Sequence, residues 1–443
     1  MAILDRELLN RGRHQRGKRG ASARLAFLAI SLTLCIIGSL AILHLRAADS
    51  VSGSPLPARA SLLPHSPILI EGNGGFLGDN SSTGVARGSG TESDPYVIED
   101  WDIIPAGWRG IWIRGADVHF VVQDCHIHDY TGPGIRQAGI YVEWCSNATL
   151  QNNTIDKCGQ RGIWLEGPYN DYAGTYSTNC TVIGNSCSNN SEAGILVVHM
   201  KKCAFVNNTC RNNTWGISIG GVAYDNEITN NEFTGGSLGI MLLTANDNDL
   251  IGNNCSSCSW AGILLEMSNG NNIVNNSCSR NLNGIYLYNA SWQGACNDNM
   301  IQLNRISSNT NFGIMIGDGN ANNRIWNNSL AGNHGSGPAY ESDHAQASDN
   351  GTGNWWNSSD GYGNYWSEWT APDLDANGIV DVPYNLSGTA ASMDNYPRTT
   401  PSQLIPEFGS GAVFGALLVF LAAIAMSRTS PRRGPPKRKE EKV

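Results

Sequence analysis

The sequence predicts an all-β protein, a right-handed parallel β-helix of about nine coils that has a cap at each end and is flanked by two membrane segments. Three observations support this prediction. Gly is the commonest residue (51 of 443), Asn is abundant and only 15% of residues are charged, as is typical of proteins with many strands and tight turns. The dipeptide Gly-Ile recurs at a nearly fixed spacing. Two apolar stretches, each beside a basic segment, enclose the repeats.

The chain begins with a basic segment and an apolar stretch. Residues 1–24 carry seven Arg or Lys residues, and residues 25–43 are almost entirely apolar. This length, with the positive charge in front of it, predicts a signal anchor whose N-terminus faces the cytoplasm. A cleaved signal peptide is the alternative, because the small residues Ala47 and Ala48 follow closely. Residues 44–66 then form a linker to a body that lies outside the cytoplasm.

Residues 67–332 carry the repeat. Gly-Ile recurs every 22 or 23 residues, and the spacing is stretched to 29, 32 and 29 residues at three places. The glycines of this dipeptide are Gly110, Gly139, Gly162, Gly194, Gly216, Gly239, Gly262, Gly284 and Gly313. A period near 22 is too short for pairs of helices, the leucine-rich pattern is absent, and the length fits one coil of a β-helix. Each repeat predicts two short strands, Gly-Ile-x-Φ-x and Φ-x-Asn-Asn-x-Φ, where Φ is an apolar residue.

Alignment of the second predicted strands places one Asn per coil in a column. The column consists of Asn153, Asn185, Asn208, Asn231, Asn253, Asn276, Asn304 and Asn328. Asn tolerates the left-handed backbone that a tight corner requires, and its amide can bond the same amide about 4.8 Å away in the next coil. An inward column follows, with Ile127, Ile155, Cys187, Cys210, Phe233, Cys255, Cys278, Ile306 and Leu330. We therefore expect a ladder of Asn side chains beside an apolar core.

Four cysteines replace aliphatic residues in that inward column. Cys187 and Cys210 fall on adjacent coils, as do Cys255 and Cys278. A separation of about 4.8 Å is within disulfide reach, and disulfides persist outside the cytoplasm. Buried free thiols, disulfides between coils and metal ligation are three alternatives that the sequence leaves open.

The Gly-Ile strand also predicts a surface on which function could lie. Side chains two and four residues after each Gly point outward. In the first three coils these positions are Trp112, Tyr141 and Trp164, beside Arg114, Glu143 and Glu166. Flat aromatic faces next to polar groups suit sugar rings, so this face predicts a carbohydrate site. A surface aromatic stack with solvated charges and no ligand is the alternative.

Two carboxylates of this face predict catalysis. Glu143 and Glu166 should lie about one coil apart, near the roughly 5–5.5 Å separation of retaining glycosidases. We therefore assign them as acid and nucleophile, or as ligands of a shared cation. Tyr169, in an insertion directly after Glu166, and His199, just beyond the next strand, complete the predicted substrate site, in which Arg114 would hold an acidic sugar.

Residues 333–397 predict an aromatic-rich C-terminal cap with a calcium loop. The loop residues are Asp373, Asp375, Asn377 and Asp381, with Gly378 at the sixth position. Position 12 is Tyr384 where a bidentate Glu belongs, so Asp394 would have to supply the missing carboxylate. The alternative is an Asp-rich turn without an ion.

Two histidines form a weaker candidate metal site. His126 and His128 alternate around the inward Ile127, so both should face outward, and such a pair can bind copper or zinc. Spacing in the sequence indicates no third or fourth ligand. Ordinary surface histidines are the alternative.

The chain ends as it begins, with apolar and basic segments. Residues 398–410 form a linker, residues 411–426 a short apolar span, and residues 427–443 a basic tail that indicates a second cytoplasmic end. The two ends hold 14 of the 29 Lys and Arg residues, so the body between them is strongly acidic and should not bind nucleic acid. Glycosylation sequons such as those at Asn147 and Asn179 predict a glycoprotein.

Particular segments resemble archaeal NosD-like proteins, relatives of the pectin-lyase-like superfamily. The start, with Ile68-Leu-Ile-Glu-Gly72, and the end, with Gly363-Asn-Tyr-Trp-Ser367, are similar to the ends of that family, and the resemblance covers residues 66–397. It implies a β-helical fold, and it implies either maturation of a copper site or carbohydrate binding and cleavage. Ile405-Pro-Glu-Phe-Gly409 resembles a PEF-type sorting signal, which implies a sorting enzyme acting at Pro406-Glu407-Phe408 and anchoring at the cell surface. A plain membrane span is the alternative.

These observations favour a surface-anchored protein that binds, and in one version cleaves, polysaccharide. The alternatives are a non-catalytic envelope or adhesion scaffold and a NosD-like copper accessory protein. Methionines are few and scattered, which weighs against copper delivery.

Overall fold

The chain winds into a parallel β-solenoid. The computed structural model describes residues 62–401, except 79, 106, 131, 133–136, 170–176 and 290–293. Each coil contributes one strand to each of three parallel sheets, which we call sheets 1, 2 and 3 in the order in which a coil visits them. The prediction of about nine coils is confirmed. The prediction of two strands per coil is wrong, because the Asn-Asn pair makes a corner that divides the second predicted strand between sheets 2 and 3.

The strands of each sheet follow one another along the solenoid. Sheet 1 contains Ile68–Glu71, Arg109–Arg114, Ala138–Glu143, Arg161–Glu166, Ala193–Val198, Trp215–Gly220, Leu238–Leu243, Ala261–Glu266, Asn283–Tyr288, Ile314–Ile316 and Ala347–Asp349. Sheet 2 contains Val85–Arg87, Tyr96–Glu99, Phe120–Gln123, Ala148–Gln151, Thr181–Ile183, Ala204–Val206, Glu227–Thr229, Asp249–Ile251, Asn272–Val274, Met300–Gln302 and Arg324–Trp326. Sheet 3 contains Leu63–Pro64, Trp101–Ile103, His126–His128, Thr154–Asp156, Ser186–Ser188, Thr209–Arg211, Glu232–Thr234, Asn254–Ser256, Ser277–Ser279, Arg305–Ser307, Ser329–Ala331 and Tyr365–Trp366.

Short elements complete the two ends. Near the N-terminal end lie a 3-10 helix, Asn73–Leu77, and a helical turn, Asn80–Thr83. The first strand of sheet 2 is antiparallel to its neighbour. Near the C-terminal end lie a 3-10 helix, Ser342–His344, and an antiparallel pair, Tyr384–Asn385 with Met393–Asp394. Two further short strands, Ser177–Thr178 and Met200–Lys201, pair beside the main sheets.

The core lies between the three sheets. The first isoleucine after each Gly stacks on its equivalent in the next coil, as in the pairing of Ile140 with Ile163, and these side chains are fully buried. The glycine itself is required by the close approach of a neighbouring coil. A Cβ added at Gly216 would lie 2.6 Å from the carbonyl oxygen of Gly239 and 2.6 Å from the Cβ of Phe233. The Gly-Ile dipeptide therefore marks the place where the coils pack most tightly.

The predicted Asn ladder is confirmed at the corner between sheets 2 and 3. Each side-chain amide donates to the side-chain oxygen of the next Asn at 2.9–3.0 Å, from Asn153 to Asn328. The ladder runs one step further, to Asn364, at 2.9 Å. The left-handed conformation belongs to the residue before the ladder Asn, such as Asn230 with a φ of 56°, and not to the ladder residue itself.

Two more ladders occupy the other two corners. Between sheets 1 and 2, a continuous ladder runs through Asn226, Asn248, Asn271, Asn299, Asn323 and Asn354, with amide-to-oxygen distances of 3.0–3.1 Å. Between sheets 3 and 1, an interrupted ladder includes the pair Asn190 and Asn213 and a later run that ends at Asn333 and Gln346. All three corners are thus held by buried side-chain amides, which explains the high Asn content.

Each ladder ends at a buried carboxylate in the C-terminal cap. Asn364 donates to Asp394, Asn354 donates to Asp349 at 3.0 Å, and Gln346 donates to Glu368. Each of the three carboxylates also accepts a hydrogen bond from a cap aromatic residue. These pairs are Trp366 with Asp394 at 3.0 Å, Trp356 with Asp349 at 2.9 Å, and Tyr384 with Glu368 at 2.7 Å. The predicted aromatic cap therefore closes the solenoid by holding three acceptors against three rows of donors.

The cysteines of the described region are buried and free. All eleven, including the stacked Cys187 and Cys210, fill positions in the interior, so the free-thiol alternative holds for this region. Burial raises the pKa of Cys145 to about 12, which keeps the thiol protonated. Cysteine acts in these positions as a small apolar side chain.

The predicted membrane segments at 25–43 and 411–426 lie outside the described residues, as does the proposed sorting motif. Within residues 62–401, apart from the gaps given above, no helix is long and apolar enough to span a membrane.

Candidate functional site

The predicted aromatic column forms on the outer face of sheet 1. The rings of Trp112 and Tyr141 stack with centroids 6.0 Å apart, and those of Tyr141 and Trp164 stack at 4.3 Å. The prediction that these rings face solvent is wrong for two of them, because Tyr141 is 1% exposed and Trp164 is 4% exposed. A sugar cannot stack on rings that are already covered.

Two arginines cover the aromatic column. The guanidinium carbon of Arg109 lies 4.1 Å from the ring centroid of Trp112 and 4.5 Å from that of Tyr141. Arg161 covers Trp164 in the same way at 4.5 Å, and its Nη2 also lies 2.6 Å from the carboxylate of Glu192. Such contacts are attractive because a cation interacts with the electron-rich face of a ring. The column is a packed layer of the scaffold.

The two predicted catalytic carboxylates are adjacent, as expected. Glu143 and Glu166 are paired residues on neighbouring strands of sheet 1. Trp112 donates its Nε1–H to Glu143 at 3.0 Å, and Tyr141 donates its hydroxyl to Glu166 at 2.5 Å. Burial raises the pKa of Tyr141, and the bond to Glu166 adds to this effect, so the phenol remains a donor. The aromatic residues Trp112 and Tyr141 therefore orient the two carboxylates.

Arg114 is engaged by a carboxylate of the protein. Its Nη1 lies 3.4 Å from Glu71 in the preceding coil, and its guanidinium carbon lies 5.3 Å from the ring centroid of Trp112. Arg114 lies next to Glu143 across the sheet. The outer column therefore alternates in charge, with Arg114 between two glutamates.

Tyr169 and His199 meet beyond the strand ends. Their rings are perpendicular with centroids 5.2 Å apart, and Tyr169 is 83% exposed. His199 has a φ of 54°, and burial lowers its pKa. Its Nδ1 is buried and has no hydrogen-bond partner among the described residues. The structure thus brings together the pair that the sequence had placed at the edge of the site.

An open groove lies at the carboxyl ends of these sheet 1 strands. It has a volume of about 590 Å³ and is lined by Asn73, Gly115, Ala116, Asp117, Trp144, Ser146, Pro168 and Ser177. Trp144 directly follows Glu143 and is 49% exposed. Asn73 donates to Asp117 at 2.6 Å across the groove wall. The groove thus offers one exposed aromatic face among polar groups, close to Glu143 and Glu166.

Trp144 was not predicted from the sequence. This residue lies five positions after the Gly of its repeat, beyond the two outward columns. Its φ is 55°, a conformation that costs an ordinary bulky residue about 1–2 kcal/mol, whereas Gly115 occupies the equivalent corner one coil earlier. The sequence did contain a signal for this residue, because a tryptophan stands at a corner position where the preceding coil has glycine.

The predicted calcium loop is held by its own backbone. Asp373 accepts hydrogen bonds from the backbone N–H groups of Asn377 at 3.1 Å and Gly378 at 2.9 Å, and Asp381 accepts one from Leu374 at 2.6 Å. Asp375 accepts from Asn377. Asp394 is committed to the cap and does not complete this loop, contrary to the suggestion from the sequence. Calcium binding by Asp373, Asp375, Asn377 and Asp381 stays a prediction.

Two stretches of the chain match known protein families. Residues 70–231 match the family model described as a right-handed β-helix region. Residues 170–371 match the model described as periplasmic copper-binding protein (NosD). Parts of the chain are thus similar to NosD and to right-handed β-helix proteins, and the structure is a parallel β-solenoid. The resemblance drawn from the sequence is confirmed to this extent, and archaeal origin and the sorting signal stay predictions.

Three solved structures are similar to parts of this chain. The periplasmic alginate epimerase AlgG matches with 16% identity and a TM-score of 0.40, over 53% of this chain and 62% of that one. The A-module of the Azotobacter vinelandii mannuronan C-5 epimerase AlgE4 matches with 16% identity and a TM-score of 0.37, over 58% and 84%. The Dettilon tailspike protein matches with 16% identity and a TM-score of 0.45, over 61% and 60%. The chain spans less than two thirds of the first of these structures. A search of curated protein sequences returned no match.

Proposed function

We propose that this NosD-like protein is anchored outside the cell and binds a polysaccharide in the groove beside Trp144. The single observation that carries the proposal is the open groove, which combines an exposed indole with polar groups. A sugar ring has apolar CH faces that pack on an indole and hydroxyls that bond carboxylates and amides. Trp144, Asn73 and Asp117 supply these two kinds of contact.

Glu143 and Glu166 extend the proposal to cleavage of the bound chain. They lie in adjacent coils, about 4.8 Å apart at the backbone, near the separation that retaining glycosidases use. Each carboxylate is oriented by an aromatic donor from the preceding coil. One would protonate the leaving oxygen and the other would attack the anomeric carbon.

A glycan array followed by calorimetric titration tests binding. Trp144→Ala should weaken binding of the glycan that the wild type selects by at least about tenfold, because truncating an aromatic residue at the centre of a binding site costs roughly 2 kcal/mol or more. Trp108→Ala is the matched control, since Trp108 is 54% exposed and does not line the groove. Equal loss in both variants, or no loss with Trp144→Ala, would exclude the groove.

Product analysis separates cleavage from binding. Glu143→Gln and Glu166→Gln should each leave glycan affinity within a few fold of the wild-type value and abolish release of shorter chains. If the wild type itself releases no product from the glycan that it binds, the protein is a binding module without turnover.

The match to the copper-protein family model favours a second candidate, a metal accessory function of residues 170–371. Copper content of the protein purified from its native membrane fraction tests this candidate. A copper-free protein would leave carbohydrate binding as the better proposal.

A further inference from the structure

Two histidines and an aspartate converge on the outer face of sheet 3. Asp102 and His126 are paired residues on neighbouring strands, and His128 lies two residues further along the same strand as His126. The buried Ile127 between the histidines sends both imidazoles outward. Asp102 was the ligand that the spacing of the sequence did not reveal, because the solenoid brings it from 24 residues earlier.

The three side chains point at one another. Oδ1 of Asp102 lies 3.1 Å from Nδ1 of His126 and 3.0 Å from Nε2 of His128. The three candidate ligand atoms all lie within 4.8 Å of one another. Ligand atoms on a tetrahedral ion with bonds of about 2.0–2.1 Å are separated by similar distances, so a small shift would admit an ion at the centre.

The hydrogen bonding of His128 favours an ion at this position. Its Nδ1 lies 3.0 Å from Oδ2 of Asp129, while its Nε2 lies 3.0 Å from Asp102. A histidine that binds a metal through Nε2 carries its proton on Nδ1, and Asp129 is placed to accept that proton. With Nδ1–H donated to Asp129 and the lone pair of Nε2 given to a metal, both contacts are satisfied. This carboxylate–histidine–metal arrangement is usual at metal centres.

The surrounding charge is suited to a cation. Asp129 lies beside the cluster, and Asp156 is paired with His128 across sheet 3. Lys157 contacts both of these carboxylates, at 3.5 Å and 3.3 Å, and is the basic side chain that joins them. Asp156 also accepts a hydrogen bond from Asn189, whereas Asp102 is the carboxylate that contacts both His126 and His128.

We propose that Asp102, His126 and His128 form a binding site for a divalent transition-metal ion of the zinc class, with Asp129 as the positioning residue of His128. Two imidazoles and one carboxylate suit a borderline ion such as Zn²⁺ and disfavour Ca²⁺ and Mg²⁺. Three protein ligands leave a fourth position open to water or to an exogenous ligand. The site lies outside the residues that match the copper-protein family model and on a different sheet from the groove, so it does not depend on the proposed function.

Titration of the metal-free protein with Zn²⁺ tests the site. We expect one Zn²⁺ per chain at this cluster, an increase in melting temperature on binding, and a visible spectrum of tetrahedral or five-coordinate type when Co²⁺ replaces Zn²⁺. Asp102→Asn and His128→Ala should each abolish the binding and the spectrum. Asp129→Ala should weaken Zn²⁺ affinity by about 10–100-fold, because it removes the acceptor that fixes the imidazole.

Matched histidine variants keep the proposal falsifiable. His119→Ala removes a nearby histidine outside the cluster, and His344→Ala removes the histidine of a second, exposed group with Glu341 and Asp343. Both variants should bind Zn²⁺ and Co²⁺ at this site as the wild type does, and circular dichroism should show that all variants keep their fold. Binding that follows His344 instead of His128, a wild type that binds only Ca²⁺, or no change with Asp102→Asn would overturn the site.

Discussion

A single asparagine at a corner of the solenoid makes several hydrogen bonds at once. Asn231 donates to the carbonyl of Phe205 at 2.8 Å and to the side chain of Asn253 at 2.9 Å. Its oxygen accepts from the backbone N–H of Asn208 at 2.8 Å and from the Asn208 side chain at 3.0 Å. No smaller side chain offers this combination in a buried corner, which is why the residue type recurs from coil to coil.

Replacing this asparagine should be costly. Asn231→Ala leaves the buried N–H of Asn208 without an acceptor, and an unsatisfied buried group costs about 1–3 kcal/mol. We therefore expect the free energy of unfolding to fall by about 2–4 kcal/mol, measured by denaturant titration. Asn212→Gly, at an exposed position with a φ of 56°, should change it by less than about 1 kcal/mol. Equal effects of the two substitutions would show that the ladder does not stabilise the fold.

Single residues also show which features of the candidate site the sequence does not predict. Alternation along a strand placed Trp112, Tyr141 and Trp164 in one outward column, and they do stack. The alternation of side chains along a strand does not predict which other residues cover an outward column. Here Arg109 and Arg161 fold back over the rings. The exposed aromatic ring of the groove is that of Trp144, which lies at a corner. At a corner the two-residue period of a strand does not predict whether a side chain points inward or outward.

At the scale of the strand, each residue of the Gly-Ile dipeptide has its own role. The Gly allows the neighbouring coil to approach closely, and the Ile side chain is buried in the core. The fixed spacing of this dipeptide was sufficient to predict sheet 1 and its register, as the pairing of Ile163 with Ile195 shows. It was insufficient to separate sheets 2 and 3, because their strands are only three or four residues long and the corner between them contains the Asn-Asn pair. In the sequence, two polar residues inside an apolar pattern look like a break within one strand, so the corner between two strands was not recognised.

Adding one methyl group at the contact should disrupt the stacking of coils. The Cβ of Gly216→Ala would meet the carbonyl oxygen of Gly239 at 2.6 Å, which requires the strands of sheet 1 to move apart. Overpacking of this kind costs about 1–3 kcal/mol, so the melting temperature should fall measurably. Gly337→Ala, where an added Cβ meets nothing within 4 Å, should melt within about 1 °C of the wild type. A Gly216→Ala variant as stable as the wild type would contradict the close approach.

At the scale of the whole described region, the cap determines how stability depends on pH. Burial raises the pKa of Asp394 to about 6, although hydrogen bonds from Asn364 and Trp366 act in the opposite direction. The pKa is higher in the folded than in the unfolded chain, so the folded state binds this proton more tightly. The contribution of Asp394 to stability is therefore largest below about pH 4 and falls as the pH rises towards 6.

The measurement compares the wild type with Asp394→Asn. The free energy of unfolding of the wild type, relative to that of the variant, should decrease by up to about 3 kcal/mol between pH 4 and pH 6 and change little above that range. Asp360→Asn, at an exposed carboxylate, controls for the loss of one negative charge. A relative stability that rises over the same interval would mean that hydrogen bonding, and not burial, dominates at Asp394.

The cap was only partly predictable at this scale. The aromatic composition of residues 333–397 indicated a terminal structure, but not its chemistry. Glu368 and Asp349 carry no local sequence motif, and their role exists only because the ladders arrive there from coils far away in the chain. Burial likewise raises the pKa of Glu368, since its charge is removed from water to reach the last amide.

The direction of the hydrogen bonds in the ladders gives the solenoid an electrical polarity. The hydrogen bonds from one ladder amide to the next all run towards the C-terminal end, and the carboxylates of Asp349, Glu368 and Asp394 are the anions at the end to which these N–H groups point. A coil inserted in the middle would lengthen the rows and leave both ends unchanged. A chain terminated before residue 346 would instead expose the last amide donors of all three ladders. Shortening the solenoid from its C-terminal end would therefore require new carboxylates to accept these hydrogen bonds.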